Sequence, residues 1–448
     1  VKYFSTNRHL AGGYIPTHTF SEALLMGIAP DAGLFMPETL PHFSAEQLQT
    51  MRGKTYAQIA TEVLFPFVEG QMSKDDLAAI AADAYGFDIP LENIDKNFWV
   101  ARLDQGATAS FKDFAARFMA RATRYFLPAQ QKLTVLVATS GDTGSAIGAA
   151  FQGIEGVKVY ILYPQREVSF VQEQQLIRIG GNVQALAIDG KFDDCQNIVK
   201  QAFADKELTS LNLSSANSIN VGRVLPQAVY YFYLWQKLTE HTDEAINFVV
   251  PSGNLGNSLG AELARRMGLP VERLVIATNA NRAVPDFLKN GIYKKISPSV
   301  AAVSNAMNVG NPSNLARYFE LYGGTLDKDG YTHQAPDIAQ MREHLLSVAI
   351  SDTETVETIK YFYKKYACVL EPHGAVGAAA YRKFQDKLAA RKTILLETAH
   401  PAKFPEIVMQ ELGFAPPVPK ALQAFLQNPA HKIELANEYK ALKNILLA

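Results

Sequence analysis

The middle of the chain alternates short apolar runs with longer amphipathic stretches. Leu133 to Ala138, Val157 to Leu162, Ile246 to Val250, Leu274 to Ala277 and Thr393 to Leu396 have strand length. Several are nearly continuous in apolar character, as strands buried on both faces are. The stretches between them have helix length. This alternation predicts βαβ units and parallel sheets. The first hundred residues lack it. Ser21 to Gly27 and Tyr56 to Phe67 read as helices, and Pro30, Gly33, Pro37 and Pro41 interrupt the segment between them. The pattern therefore predicts a separate, mainly helical N-terminal domain over residues 1–100. Near the other end, Pro416-Pro417-Val418-Pro419 is a rigid break. It is followed by short helical segments expected to pack on the body.

Composition narrows the function classes. A chain of 448 residues has room for about three domains. With 43 Lys plus Arg against 44 Asp plus Glu, the net charge is −1, which argues against a dedicated nucleic-acid binder. No run approaches the roughly 18 apolar residues of a membrane-spanning helix. Cys195 and Cys368 are the only cysteines; they cannot form a disulfide framework, and no Cys/His spacing suggests a metal site. Val1 to Ser5 lacks a basic region followed by an apolar one. The expectation is a cytoplasmic protein with no nucleic-acid, membrane or metal partner.

Three segments could carry chemistry. In Val137 to Ala146 an apolar strand runs into Thr139-Ser140-Gly141-Asp142-Thr143-Gly144 and then a small-residue helix. Backbone N–H groups at such a helix start form an anion site. Val249 to Ser258 repeats the design with Pro251-Ser252-Gly253-Asn254-Leu255-Gly256-Asn257. Two such units suggest a ligand with two anionic ends, or two anionic ligands. Neither loop is a P-loop or a Gly-x-Gly-x-x-Gly fingerprint, which disfavours a nicotinamide cofactor. The third segment is Thr108 to Phe118. Ser110 and Asp113 read as a capping box, and Phe111, Phe114, Ala115, Phe118 and Met119 form an apolar helical face beside Lys112. A partly desolvated lysine there has a depressed pKa and can form a Schiff base.

Taken together, these segments resemble the threonine synthases, within the fold type II pyridoxal-phosphate enzymes. Phe111 to Ala115 is similar to that family's cofactor-lysine segment, and the two glycine loops match its two loops. The opening from Tyr3 to Pro37, Gly190 to Cys195, Asn217 to Arg223 and Glu397 to Phe404 also fit. Two stretches depart from it: Gln105 to Thr108 stands where the family often has Pro and His, and Arg282 to Pro285 replaces a more acidic segment.

The resemblance implies an α/β fold with two parallel-sheet domains plus the helical N-terminal domain. A large pyridoxal-phosphate-binding domain would take residues 101–130 and 217–448, and a small mobile domain 131–216. It implies conversion of O-phospho-L-homoserine and water to L-threonine and phosphate. Lys112 would hold pyridoxal 5'-phosphate and act as the catalytic base. Gly253, Asn254, Leu255, Gly256 and Asn257 would cradle its phosphate, and Thr398 would meet the pyridine nitrogen. Ser140, Gly141, Asp142 and Thr143 would take the substrate carboxylate. Asn220 and Arg223, with Lys403 and Asn254, are candidates for the substrate phosphate. His400 reads as a packing histidine. A phospho-lyase releasing phosphate and a keto acid shares every motif, and a non-catalytic anion-binding protein is the alternative from another class. The sequence leaves monomer or homodimer open.

Overall fold

The computed structural model describes residues 1–10 and 16–448. All five apolar runs are strands, and they divide between two sheets. The large sheet has the order Leu345–Ala349, Val271–Thr278, Ile246–Pro251, Thr393–Glu397, Phe98–Arg102, Leu91–Asp95. It is parallel except for the last pair. The small sheet has the order Ile433–Leu435, Val183–Ile188, Val157–Pro164, Leu133–Ala138, Leu213–Ser215, all parallel. Every residue of Leu133–Ala138, Ile246–Pro251 and Thr393–Glu397 is buried. Helices cover both faces of such strands, which is why no polar alternation marks them.

The N-terminal part carries helices Phe20–Met26, Ala45–Thr50, Tyr56–Val68 and Lys74–Ala84, with one antiparallel ribbon between Tyr3–Ser5 and Phe35–Pro37. Each helix starts on a hydroxyl cap, Thr19, Ser44, Thr55 or Ser73, which satisfies an otherwise orphaned N–H. An aromatic cluster joins this part to the body. Tyr56 packs on Tyr85, Phe114 and Tyr233 with ring centres 4.8, 5.1 and 5.2 Å away. Phe114 is two residues from Lys112, so the helical part braces the lysine helix.

Sheet membership moves two expected limits. The boundary at residue 100 falls inside Phe98–Arg102, a strand paired with Thr393–Glu397; the helical part ends with Ala84. At the other end, residues 433–447 belong with the small sheet rather than the large one. Ile433–Leu435 pairs with Leu186 to Ile188, and the helix Tyr439–Leu447 lays Leu442 and Leu446 among Leu136, Leu162 and Cys195. A three-residue strand has too few positions to show a pattern.

Among the described residues, no helix is long and apolar enough to cross a membrane. Both cysteines are free and buried, and burial pushes the Cys368 thiol up to about 12.

Candidate active site

Strand ends and helix starts from both sheets converge on one cavity. It is lined by Lys112, Ser140, Asp142, Thr143, Arg223, Gly253 to Asn257 and Thr398, together with Phe192, Gln196, Asn217, Gln227 and His373. Gly141 and Asn220 do not line it. Gly141 makes the turn behind, at φ +132°, where a Cβ would lie 2.5 Å from the Gln172 side chain.

Lys112 is the first residue of the helix Lys112–Phe126. The capping box does not form. Asp113 instead accepts from Thr108, its backbone N at 2.8 Å and its Oγ1 at 2.9 Å. Ala109, at φ +52°, turns the chain back so that Thr108 rather than Ser110 meets the carboxylate. The same turn clasps the segment to residues 398–400. Phe111 N donates to Thr398 O, and His400 N donates to Ala109 O. Two motifs nearly three hundred residues apart are thereby fixed against each other, which puts Lys112 and Thr398 on one wall. Lys112 Nζ lies 3.7 Å from Asp142 Oδ2 and 4.6 Å from the centre of the Phe111 ring. Burial pushes the amine below its usual range, and the attraction of Asp142 only partly opposes it.

The second glycine loop has the geometry of an anion cradle. The helix Gly256–Arg266 starts after Leu255, which is left-handed at φ 60°. None of the backbone N–H groups from Gly253 to Asn257 has an acceptor among the described residues. Asn254 braces the loop, its Nδ2 donating to Ser218 Oγ at 2.8 Å and its Oδ1 accepting from Ser313 N at 2.5 Å. Asn257 Oδ1 accepts from Tyr230 OH at 2.6 Å and Tyr231 OH at 2.7 Å. That fixes the amide's orientation and leaves its Nδ2 a buried donor with no partner among the described residues.

The first glycine loop repeats this on the small sheet. Gly141 N and Gly144 N both donate to Thr139 Oγ1 at 2.9 Å. The N–H groups of Ser140, Asp142 and Thr143 find no acceptor among the described residues. The Asp142 carboxylate is engaged by Lys403 Nζ and Gln172 Nε2, each at 2.9 Å. Burial alone would raise its pKa. The ammonium groups of Lys403 and Lys112 override this and hold it well below the usual carboxylate range.

The four phosphate candidates separate. Arg223 lines the cavity, donates from Nη1 to Ala216 O at 2.5 Å, and leaves Nε buried without a partner among the described residues. It has no carboxylate partner among the described residues, and burial pushes it down to about 10. Asn220 spends its side chain internally, with Nδ2 donating to Leu24 O and Ser215 O and Oδ1 accepting from Gly222 N. It caps the short helix Val221–Val224 that carries Arg223. Lys403 is sealed against Asp142 and Thr108 O. Asn254 is used in bracing. His400 lies off the cavity, with Nδ1 accepting from Ala402 N at 3.1 Å.

One wall was not assigned a role from sequence. Thr398 Oγ1 lies 3.3 Å from Glu371 Oε1. Glu371 caps the helix Pro372–Lys383, accepting from the N–H groups of His373 and Gly374. Its Oε2 also meets His373 Nδ1 at 2.5 Å, and His373 Nε2 accepts from Ala306 N at 3.1 Å. The histidine thus carries its proton on Nδ1 and pins the 305–308 segment over the cradle. Beneath, Glu397 Oε1 accepts from Glu371 N at 2.8 Å; burial, then Glu371, push its carboxyl well above the usual range. The Glu371-Pro372 pair is a cap-plus-N1 signal visible in sequence, but nothing local says that it faces Thr398.

These groups suit a phosphorylated aldehyde on an aromatic ring: an amine, an array of free N–H donors and a hydroxyl on one cavity. Residues 88–397 match the family model described as pyridoxal-phosphate dependent enzyme. Residues 2–85 match the threonine synthase N terminus, and 374–446 the threonine synthase C-terminal model. Threonine synthase of Haemophilus influenzae is 39% identical over 432 residues, which is 96% of each chain. The chain belongs to the threonine synthase family.

The threonine synthase fold extends over its whole length. The crystal structure of pyridoxal-phosphate-bound threonine synthase from Brucella melitensis superposes with a TM-score of 0.90 at 37% identity, covering 99% of this chain and 98% of that one. That from Escherichia coli gives 0.89 at 35%, covering 100% and 99%. Maize serine racemase, at 16% identity and a TM-score of 0.53 over 72% of this chain and 92% of that one, shares the fold alone. The chain is thus a fold type II pyridoxal-phosphate enzyme of the threonine synthase family. Its cradle allows a direct test. A Cβ on Gly253 would lie 2.9 Å from Met307 Cα and 3.0 Å from Ala306 O, both backbone. Gly253→Ala is expected to displace the 305–308 segment and weaken pyridoxal phosphate binding about tenfold, some 1.4 kcal/mol, read by titrating the apoprotein.

Proposed function

We propose that this threonine synthase family member converts O-phospho-L-homoserine and water to L-threonine and phosphate. The observation that carries the reading is the number of anion sites around one amine. The Gly253 to Asn257 cradle, the Ser140 to Thr143 loop and the unpaired Arg223 make three. A phosphorylated cofactor and a substrate with both a carboxylate and a phosphate need three; an unphosphorylated amino acid needs only two.

Pyridoxal phosphate, when bound, supplies the electron sink. Lys112 holds it covalently, and the released Nζ moves protons at the substrate's Cα and then Cβ. Gly253 to Asn257 bind the cofactor phosphate with backbone N–H groups and the Asn257 Nδ2. Thr398 meets the pyridine nitrogen and is itself oriented by Glu371. Backbone N–H groups of Ser140, Asp142 and Thr143 bind the substrate carboxylate, which the Asp142 side chain permits because Lys403 neutralises it. Arg223 suits the substrate phosphate, since a guanidinium bonds phosphate through two N–H groups at once; Asn220 supports it from behind. A cytoplasmic location and small-molecule partners complete the reading. Incubation with O-phospho-L-homoserine should release threonine and phosphate in equal amounts. Ammonia and a keto acid in place of threonine would assign the phospho-lyase reaction instead.

A further inference from the structure

Lys403 is five residues beyond Thr398, yet it does not line the cavity. Its side chain is fully buried, and Nζ sits 2.9 Å from Asp142 Oδ1 and 2.9 Å from Thr108 O. Asp142 Oδ1 also accepts from Gln172 Nε2 at 2.9 Å, while its other oxygen is the one 3.7 Å from Lys112 Nζ. One buried carboxylate therefore stands between two lysines. The contacts are unequal: Lys403 has two acceptors at hydrogen-bond distance, and Lys112 has none from this carboxylate. The inequality matters because an ammonium has no lone pair with which to attack a carbonyl or take a proton. A bare carboxylate 3.7 Å away would favour the ammonium form of Lys112.

We propose that Lys403 is a positioning residue that takes up the charge of Asp142 and so leaves Lys112 available as the free amine. The proposal rests on the reading of Lys112 as the reacting group. The other charged groups near Lys112 are Arg223, which disfavours its ammonium form, and Glu371, which favours it; burial is the largest influence and disfavours it. Lys403 acts in the same sense as burial and Arg223. Without Lys403, only burial and Arg223 are left to oppose Asp142 and Glu371, so the protonation midpoint of Lys112 rises.

The test uses the apoprotein and needs no turnover. A brief pulse of an acylating reagent at graded pH is followed by mass spectrometry of the peptide containing Lys112. Lys403→Met should lower acylation of Lys112 at neutral pH about tenfold and move its midpoint up by about one pH unit or more. Lys403→Arg should keep the wild-type midpoint. Adding Asp142→Asn to Lys403→Met should restore it, because the attracting charge is gone. Asp142→Asn alone should move the midpoint down, which keeps the idea testable if Lys403→Met does not fold. A wild-type midpoint in folded Lys403→Met, or an upward or null shift in Asp142→Asn, overturns the proposal. Failure of the wild-type protein to develop visible absorbance with pyridoxal phosphate would instead overturn the reading of Lys112, and the two failures are separately visible.

Discussion

Lys112→Ala is expected to remove the visible absorbance that pyridoxal phosphate gives the protein, and to lower kcat about a thousandfold or more. Among the described residues no other lysine lines the cavity, and Lys403 is sealed behind Asp142. In the proposed reaction the covalent attachment and the mobile proton both depend on this one Nζ. General base catalysis alone contributes about a hundred- to ten-thousandfold, and the lost covalent bond adds to it. The fold should survive. Lys112 occupies the first position of its helix, where alanine is tolerated, and among the described residues its amine makes no ion pair closer than 3.7 Å. Absorbance spectra and threonine release check the first part, and the unfolding midpoint of the apoprotein checks the second. A Lys112→Ala protein that still turns over phosphohomoserine at a tenth of the wild-type rate would sink the assignment.

Arg317→Met should be the most damaging single change away from the chemistry. Arg317 is fully buried with no carboxylate partner among the described residues, and its donors all go to oxygen atoms. Nε and Nη2 reach Phe35 O at 3.1 and 3.0 Å, Nη1 reaches Ser218 O at 3.0 Å and Asn314 Oδ1 at 2.6 Å, and Nη2 also reaches Ile219 O at 2.7 Å. Burial pushes the guanidinium down to about 9. Methionine has a long apolar side chain but donates nothing, so four acceptors, Phe35 O and Asn314 Oδ1 buried and Ser218 O and Ile219 O partly buried, lose this partner. At about 1–3 kcal/mol for each unsatisfied group, a loss of about 4 kcal/mol is a conservative expectation. The damage spreads to the site. Asn314 Nδ2 donates to Asn254 O and Ser218 Oγ, so the Gly253 to Asn257 loop loosens with it. Lysine does not substitute, because a point ammonium has three donors and no planar fork. Urea unfolding with an unchanged m-value would measure the effect; a loss under about 1 kcal/mol contradicts this account.

What could be read from the sequence is what is encoded locally. Leu133 to Ala138 and Thr393 to Leu396 announce themselves because strands covered on both faces need apolar side chains at every position. Both glycine loops announce themselves because a strand, a tight turn and a helix start are consecutive. Distant pairings left no such trace. Asp113 looked like the cap of its own helix, and only the left-handed Ala109 redirects it to Thr108. Lys403 looked like a free cation, since its neutralising partner, Asp142, is more than 250 residues earlier in the chain. Glu371 and His373 were given no role because their role lies in what they touch, Thr398 and Ala306, on two other segments. Arg317 gave no signal, because its partners are mostly backbone carbonyls, which any sequence supplies.

The small sheet closes with three-residue strands on both sides, Ile433–Leu435 and Leu213–Ser215. Val183–Ile188, with all but one of its six residues buried, lies one place in from the first of them. Left uncovered, a strand of that length and apolarity would offer a ladder of free N–H and C=O groups to any other chain. The segment that returns after the Pro416 to Pro419 break thus acts as a guard against association. Its three residues occupy the ladder beside Leu186 to Ile188 and are too few to extend it.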